Sequence, residues 1–177
     1  SGVKGIWLDK NEPFAYAFLM DRTLPYDTVY NHDGVSRTHR EIHNLYGYLI
    51  TRALALYQPE LDWIISTSGW AGSQKFVTCM VNPIENTWHG LSFIIPICIN
   101  LGLSGCPFFI LNTFETHDKI LLIRFLQIAI FSPVFALSII ETQNALVNLL
   151  LKFRKHILFV IQILSIEASI TGKPIIR

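Results

Sequence analysis

Gly5-Ile6-Trp7-Leu8-Asp9-Lys10-Asn11-Glu12-Pro13 is the stretch on which the reading of this chain turns. A largely apolar run from Val3 to Leu8 stops at a carboxylate, then gives way to a Lys-Asn-Glu cluster and a proline. A short apolar run closed by a breaker reads as a buried strand. Parallel α/β barrels keep their chemistry at the C-terminal ends of such strands, so Asp9 is the first candidate for it.

Working outward, residues 14–38 are rich in turn formers (Pro25, Asn31, Asp33, Gly34) and read as a long loop. Ser36-Arg37-Thr38-His39 opens a helix with Ile42, Leu45, Tyr46, Leu49 and Ile50 at helical spacing, running through Leu56 and stopping before Pro59. Trp63 to Gly69 repeats the opening pattern, an apolar run ending in small polar residues, and predicts a second strand and loop. Residues 88–103 are helical with Pro96 expected to kink or interrupt them, and Gly105 to Asn112 reads as a third strand. Asp118 to Phe131 and Asn144 to Ser169 are two further helices, closed by Pro133 and by Thr171-Gly172-Lys173-Pro174; Ile175-Ile176 starts another strand. Strands alternating with helices are the pattern of parallel α/β folds.

The 177 residues fit one domain with room for a sizeable core, but a complete eight-stranded (β/α) barrel needs roughly 200 residues or more. A net charge of +1 leaves no electrostatic footprint for nucleic acid or an anionic membrane. The chain is apolar, 51% hydrophobic with a mean hydropathy of +0.39, so a small membrane protein has to be weighed. Leu91 to Phe114 carries no charge and is long enough to span, yet Pro96, Gly102, Gly105 and Pro107 punctuate it as strand–helix boundaries would. Parallel strands in a buried core are the better reading. Cys79, Cys98 and Cys106 lack metal or redox spacing and are expected as buried thiols. Ser1 to Gly5 is not followed by the long apolar core of a signal peptide, and the chain is read as starting inside a domain.

Five further stretches bear on identity. They are His43-Asn44-Leu45-Tyr46-Gly47, Ser66 to Phe76, Asn100 to Phe108, Phe131-Ser132-Pro133-Val134-Phe135, and Glu167 to Arg177. With Trp7-Leu8-Asp9-Lys10-Asn11-Glu12, they resemble, in order and at similar spacing, the motifs of glycoside hydrolase family 31, the retaining α-glucosidases and their relatives. The resemblance covers essentially all of residues 1–177. It implies an incomplete (β/α)8 TIM-type barrel, roughly strands four to eight with intervening helices.

Retaining glycoside hydrolysis uses two carboxyl groups about 5–5.5 Å apart, one a nucleophile and one an acid/base, and calls for no cofactor. By resemblance Asp9 takes the nucleophile position, and Trp7, Lys10 and Phe114 take substrate-binding positions. The acid/base position falls on Pro83, which has no proton to give; Glu85, two residues on, is the substitute acid candidate. Thr67 stands at the family's arginine, Asn112 at an aspartate, and Ala136 and Ser138 at an arginine and a histidine. The resemblance therefore implies an α-glucosidase-like hydrolase fragment, impaired or inactive, that takes an α-linked oligosaccharide or glucoside as substrate if active. The rest of the barrel or a partner chain would supply what is missing. The alternative is a non-catalytic remnant that binds a sugar or a partner chain. His39 and His43 sit four apart on a predicted helix, but Glu41 is misplaced for His-Glu-x-x-His, so solvated helix histidines are expected there and no metal. Ser66 and Ser68 lack a Gly-x-Ser-x-Gly elbow, which removes a serine-hydrolase reading.

Overall fold

The computed structural model describes residues 2–14, 23–82, 85–112, 116–137 and 145–177. The chain divides into two compact units, Ser1–Cys79 and Met80–Arg177.

In the first unit, strand β1 (Gly5–Leu8) pairs in parallel with β4 (Trp63–Ser66), in register from Gly5 opposite Trp63 to Leu8 opposite Ser66. A side chain on Gly5 would run into the Trp63 indole, with a Cβ only 2.0 Å from Cε2, so the strand starts with the one residue that lets that ring lie flat across it. β4 pairs in parallel with the start of β5 (Thr78–Val81), Ile65 opposite Thr78 and Ser66 opposite Cys79. Between β1 and β4 the expected long loop contains an antiparallel hairpin, β2 (Val29–His32) and β3 (Val35–Thr38). Asp33 and Gly34 both take positive φ, 51° and 80°, which is the turn geometry an Asp-Gly pair supplies between two strands.

Ser36 and Arg37, read from the sequence as helix, therefore belong to β3. The helix starts one step later. The Glu41 carboxylate accepts from both the backbone N–H and the hydroxyl of Thr38, capping α1 (His39–Ile42). A 3₁₀ turn at His43–Leu45 leads into α2 (Tyr46–Tyr57), which ends before Pro59 as expected.

In the second unit, β6 (Phe109–Leu111) pairs in parallel with β7 (Val134–Phe135), and the Asn112 N–H donates to the Val81 carbonyl at the end of β5 at 3.0 Å. Helix α3 (Trp88–Leu103) runs through Pro96 without interruption, α4 (Lys119–Ala129) joins β6 to β7, and α5 (Ala145–Thr171) follows. Phe109, Ile110 and Leu111 are fully buried with Ile94 and Cys98 of α3 and Leu121, Phe125, Leu126 and Ala129 of α4, forming this unit's core. Burial pushes the Cys98 thiol up to about 11 and keeps it protonated.

Arg154 of α5 is buried too. Its guanidinium donates to the carbonyls of Ile130 and Ser132 just beyond α4 and lies 5.0 Å over the Phe135 ring. A cation at a helix C-terminus meets carbonyls that the helix cannot satisfy itself.

Past α5 the chain turns at Gly172, with φ 74°, and Pro174 packs where a Cβ on Gly102 would stand, 2.8 Å away. Ile175 is buried there, but Ile175-Ile176 does not form the strand expected of it. Four strands escaped the sequence reading, the hairpin pair β2 and β3 and the parallel strands β5 and β7. No helix among the described residues is long and apolar enough to cross a membrane, and the uncharged run from Leu91 is divided between α3 and β6.

Candidate active site

Strands β1, β4, β6 and β7 each run into a residue that the sequence singled out (Asp9, Thr67, Asn112 and Ala136), because in a β–α succession the strand's C-terminal end opens into the loop that leads to the next helix. β1 ends at Leu8 and opens into Asp9, whose carboxylate is exposed. Lys10 follows with φ 53°, a left-handed conformation that a side-chain-bearing residue seldom adopts. That turn swings Asn11 back toward the end of β4.

Asn11 is the centre of the corner. Its Nδ2 donates to Ser66 Oγ at 2.9 Å, while its Oδ1 accepts from Thr67 Oγ1 at 2.9 Å and from the Ser68 N–H at 3.2 Å. The Thr67 N–H donates to the Leu8 carbonyl at 3.3 Å, which ties the strand ends together directly. Thr67 has no charge to offer a ligand; its hydroxyl serves the corner, between Asn11 and Glu12 Oε2 at 3.2 Å. Ser68 Oγ is buried without a hydrogen-bond partner, and it lies where a Cβ on Gly47 would be, 1.9 Å away. Asp9 thus hangs from a backbone fixed by a polar clamp.

Trp7 points away from Ile6 and Leu8 by strand alternation and stays 43% exposed, so its indole is open to a ligand. Lys10 is exposed as well. Phe114, Pro83 and Ser138 lie outside the described residues.

In the second unit the strand ends carry neutral groups. Asn112 Nδ2 donates to Asn82 Oδ1 at 3.0 Å, joining the residues just after β6 and β5, and Ala136 follows β7 half-buried. Glu85 lies exposed in the loop before α3 and takes His89 Nδ1 at 2.8 Å. The His89 contact, then a hydrogen bond from the Thr87 side chain, holds the Glu85 carboxyl below the usual glutamate range. A general acid needs its pKa raised toward the working pH. The surroundings of Glu85 push the other way.

His39 departs most from expectation. It is fully buried rather than solvated. Its Nε2 stands 2.9 Å from both Thr23 Oγ1 and His43 Nδ1, its Nδ1 3.2 Å from Tyr30 OH, and Tyr26 stacks on its ring. Burial, then the neighbouring His43, lowers the His39 pKa, so the ring is held neutral. The pair His39–His43 works as a pin joining the hairpin, the segment at Thr23 and α1. Its partners Thr23 and Tyr30 sit 16 and 9 residues away in sequence, beyond any local pattern. No group of three or more metal-ligating side chains occurs among the described residues.

Comparison with known proteins agrees with this architecture. A family model described as the glycosyl hydrolases family 31 TIM-barrel domain matches residues 1–146. The chain is 32% identical over 146 residues to alpha-glucosidase 2 of Bacillus thermoamyloliquefaciens, covering 76% of this chain and 18% of that one. It is 31% identical over 193 aligned positions to a probable glucan 1,3-alpha-glucosidase of Oryza sativa subsp. japonica, covering 97% of this chain and 21% of that one. In fold it superposes on a family 31 alpha-glucosidase from Bacteroides thetaiotaomicron with a TM-score of 0.73 at 22% identity, covering 98% of this chain and 30% of that one. The chain thus spans about a fifth of the length of these curated relatives. The incomplete (β/α)8 TIM-type barrel expected from the sequence is borne out.

Proposed function

The chain belongs to glycoside hydrolase family 31, and on that premise we propose that Asp9 is the nucleophile of an α-glucosidase-like site that has lost its acid. The observation that carries this is the placement of Asp9: an exposed carboxylate at the C-terminal end of a parallel strand, its backbone anchored by the Asn11 clamp. A carboxylate there can attack an anomeric carbon and form a glycosyl-enzyme. Trp7 offers the apolar face of the sugar an aromatic wall, and Lys10 and Phe114 complete the substrate contacts. The substrate is an α-linked glucoside or oligosaccharide, and the remaining barrel comes from further polypeptide or a partner chain.

The weak half is protonation of the leaving group. Pro83 occupies the acid/base position, and the Glu85 carboxyl is held ionised by His89. Loss of a general acid removes about 10²–10⁴-fold in rate. Neutral Thr67, Asn112, Ala136 and Ser138 at positions of charged or hydrogen-bonding groups weaken sugar binding further, since hydrogen bonds to charged groups are the stronger ones. The same replacements support a second reading, a non-catalytic remnant that binds sugar or a partner chain.

Leaving-group dependence separates the two. A dinitrophenyl α-glucoside needs no proton donor, whereas a methyl α-glucoside does. The proposal expects phenolate release from the first, none from the second, and none from either after Asp9→Asn. If wild-type protein releases nothing from the activated substrate, the enzymatic reading is lost and the remnant stands.

A further inference from the structure

Two side-chain-bearing residues take positive φ among those described, Lys10 at 53° and Asp33 at 51°. Asp33 has a local reason. It stands in a hairpin turn with Gly34, whose N–H donates to Asn31 Oδ1 at 2.9 Å, and aspartate is among the residues that tolerate this region. Lys10 has none: no glycine adjoins it, and a lysine side chain gains nothing from the left-handed region. The cause lies with Asn11, which follows it and is held by Ser66 Oγ, Thr67 Oγ1 and the Ser68 N–H, 55 to 57 residues away. On the other side of Asp9, the Leu8 carbonyl accepts from the Thr67 N–H at 3.3 Å. Asp9 and Lys10 thus bridge two points tied to the end of β4, and a right-handed or extended Lys10 would carry Asn11 off its partners. A strained backbone of this kind persists only where its surroundings over-determine it.

We propose that Lys10 is a positioning residue for Asp9 and acts through its backbone: the left-handed turn, locked by the Asn11 clamp, sets the direction from which the Asp9 carboxylate meets a substrate. This role rests on Asp9 being the nucleophile. A reacting group misplaced by about 1 Å loses on the order of 10²-fold in rate, so the conformation of the residue beside the nucleophile bears on the attack itself. An ammonium contact with the substrate bears on binding instead. The two roles make different demands on position 10. The backbone role asks for tolerance of positive φ, which asparagine has and a β-branched residue lacks. The ammonium contact asks for a cation, which both of those lack. Lys10 is exposed, so changing it empties no core.

Lys10→Asn and Lys10→Val in the whole chain therefore separate the two. The probe is 5-fluoro-α-glucosyl fluoride, on which an Asp9 carboxylate oxygen bonds to the anomeric carbon as the carbon–fluorine bond breaks and fluoride leaves, so no proton donor enters the step. The labelling rate at saturating probe is expected to fall at least about tenfold in Lys10→Val and to stay within about threefold of wild type in Lys10→Asn. The half-saturating concentration should change alike in both, since both lose the ammonium. In urea, Lys10→Asn should raise the unfolding midpoint and Lys10→Val lower it. With Asn11→Ala added the turn is unlocked, and the difference between asparagine and valine at position 10 should largely vanish. The Lys10→Asn arm decides the matter even where Lys10→Val fails to fold. Equal labelling rates in the two variants, or equal urea midpoints, would overturn the proposal. An unlabelled wild type with the midpoint order intact would sink the nucleophile reading and leave the locked turn standing; a labelled wild type with Lys10→Val labelled as fast would sink the positioning role alone.

Discussion

At the end of β1 and β4 in the first unit, Asn11 gathers Ser66, Thr67 and Ser68 into one part-buried network. At the ends of β5 and β6 in the second unit, Asn82 and Asn112 share one solvent-facing hydrogen bond. Both corners lie where the fold keeps its chemistry, but they answer to different physics. In the first, Asn11 satisfies the Ser66 and Thr67 hydroxyls and the Ser68 N–H, so replacing it strands its partners away from water. In the second, water can take over either amide. Packing enforces the first corner, Thr67 included, and leaves the second open to solvent.

The sharpest way to break this comparison is to cut the clamp. Asn11→Ala takes away the donor to the Ser66 hydroxyl and the acceptor of the Ser68 N–H, at about 1–3 kcal/mol for each group left unmet. Urea unfolding should therefore show a loss of roughly 2–3 kcal/mol, and a loss below about 0.5 kcal/mol would mean the clamp is ornamental.

A pH series probes the same unit at His39. The folded pKa lies below the ordinary 6.5, so the unfolded chain takes up this proton first. Stability from this site is full above about 6.5 and declines as pH falls from there toward the folded pKa. Thr23, Tyr26, Tyr30 and His43 face the ring, and Arg40 stacks over Tyr26. His39→Gln should flatten the dependence in the pH 5–7 window; an unchanged slope would place the titrating group elsewhere.

In the second unit, Asp118 caps α4 by accepting from the N–H groups of Ile120 and Leu121. These bonds, with that of Trp88 Nε1, keep its carboxyl below the usual aspartate range. Asp118→Ala should speed amide exchange in the first turn of α4 while leaving α3 protected. Smallest of all, Asn112→Ala should change stability by no more than about 0.5 kcal/mol, as for most surface substitutions. A cost equal to that of Asn11→Ala would erase the contrast between the corners.

Legibility in the sequence followed the same division. β1, β4 and the long helices could be read because apolar runs and breakers coincide there; Pro59 and the Thr171-to-Pro174 stop fell where the helices end. β5 was missed because Val77 to Val81 has no Gly or Pro directly in front of it, and so short a run, broken by Thr78, carries no clear period of its own. The hairpin left one usable signal, Asp33-Gly34, but its strands Val29–His32 and Val35–Thr38 are polar enough to pass for loop. Asp9 was found through its motif. The clamp around it joins residues 55 to 57 positions apart and could not be read from spacing, whereas Glu85 and His89 are only four apart.

The central claim is that Asp9 still attacks an anomeric carbon although its acid is gone. Fluoroglucosides with a fluoride leaving group form the glycosyl-enzyme without a proton donor and break it down slowly, which lets the intermediate accumulate. After incubation with 5-fluoro-α-glucosyl fluoride, intact-mass measurement and peptide mapping should find one fluoroglucosyl group, on the peptide that contains Asp9, and none in Asp9→Asn. An unmodified wild-type chain, or a label on any other residue, would contradict the account.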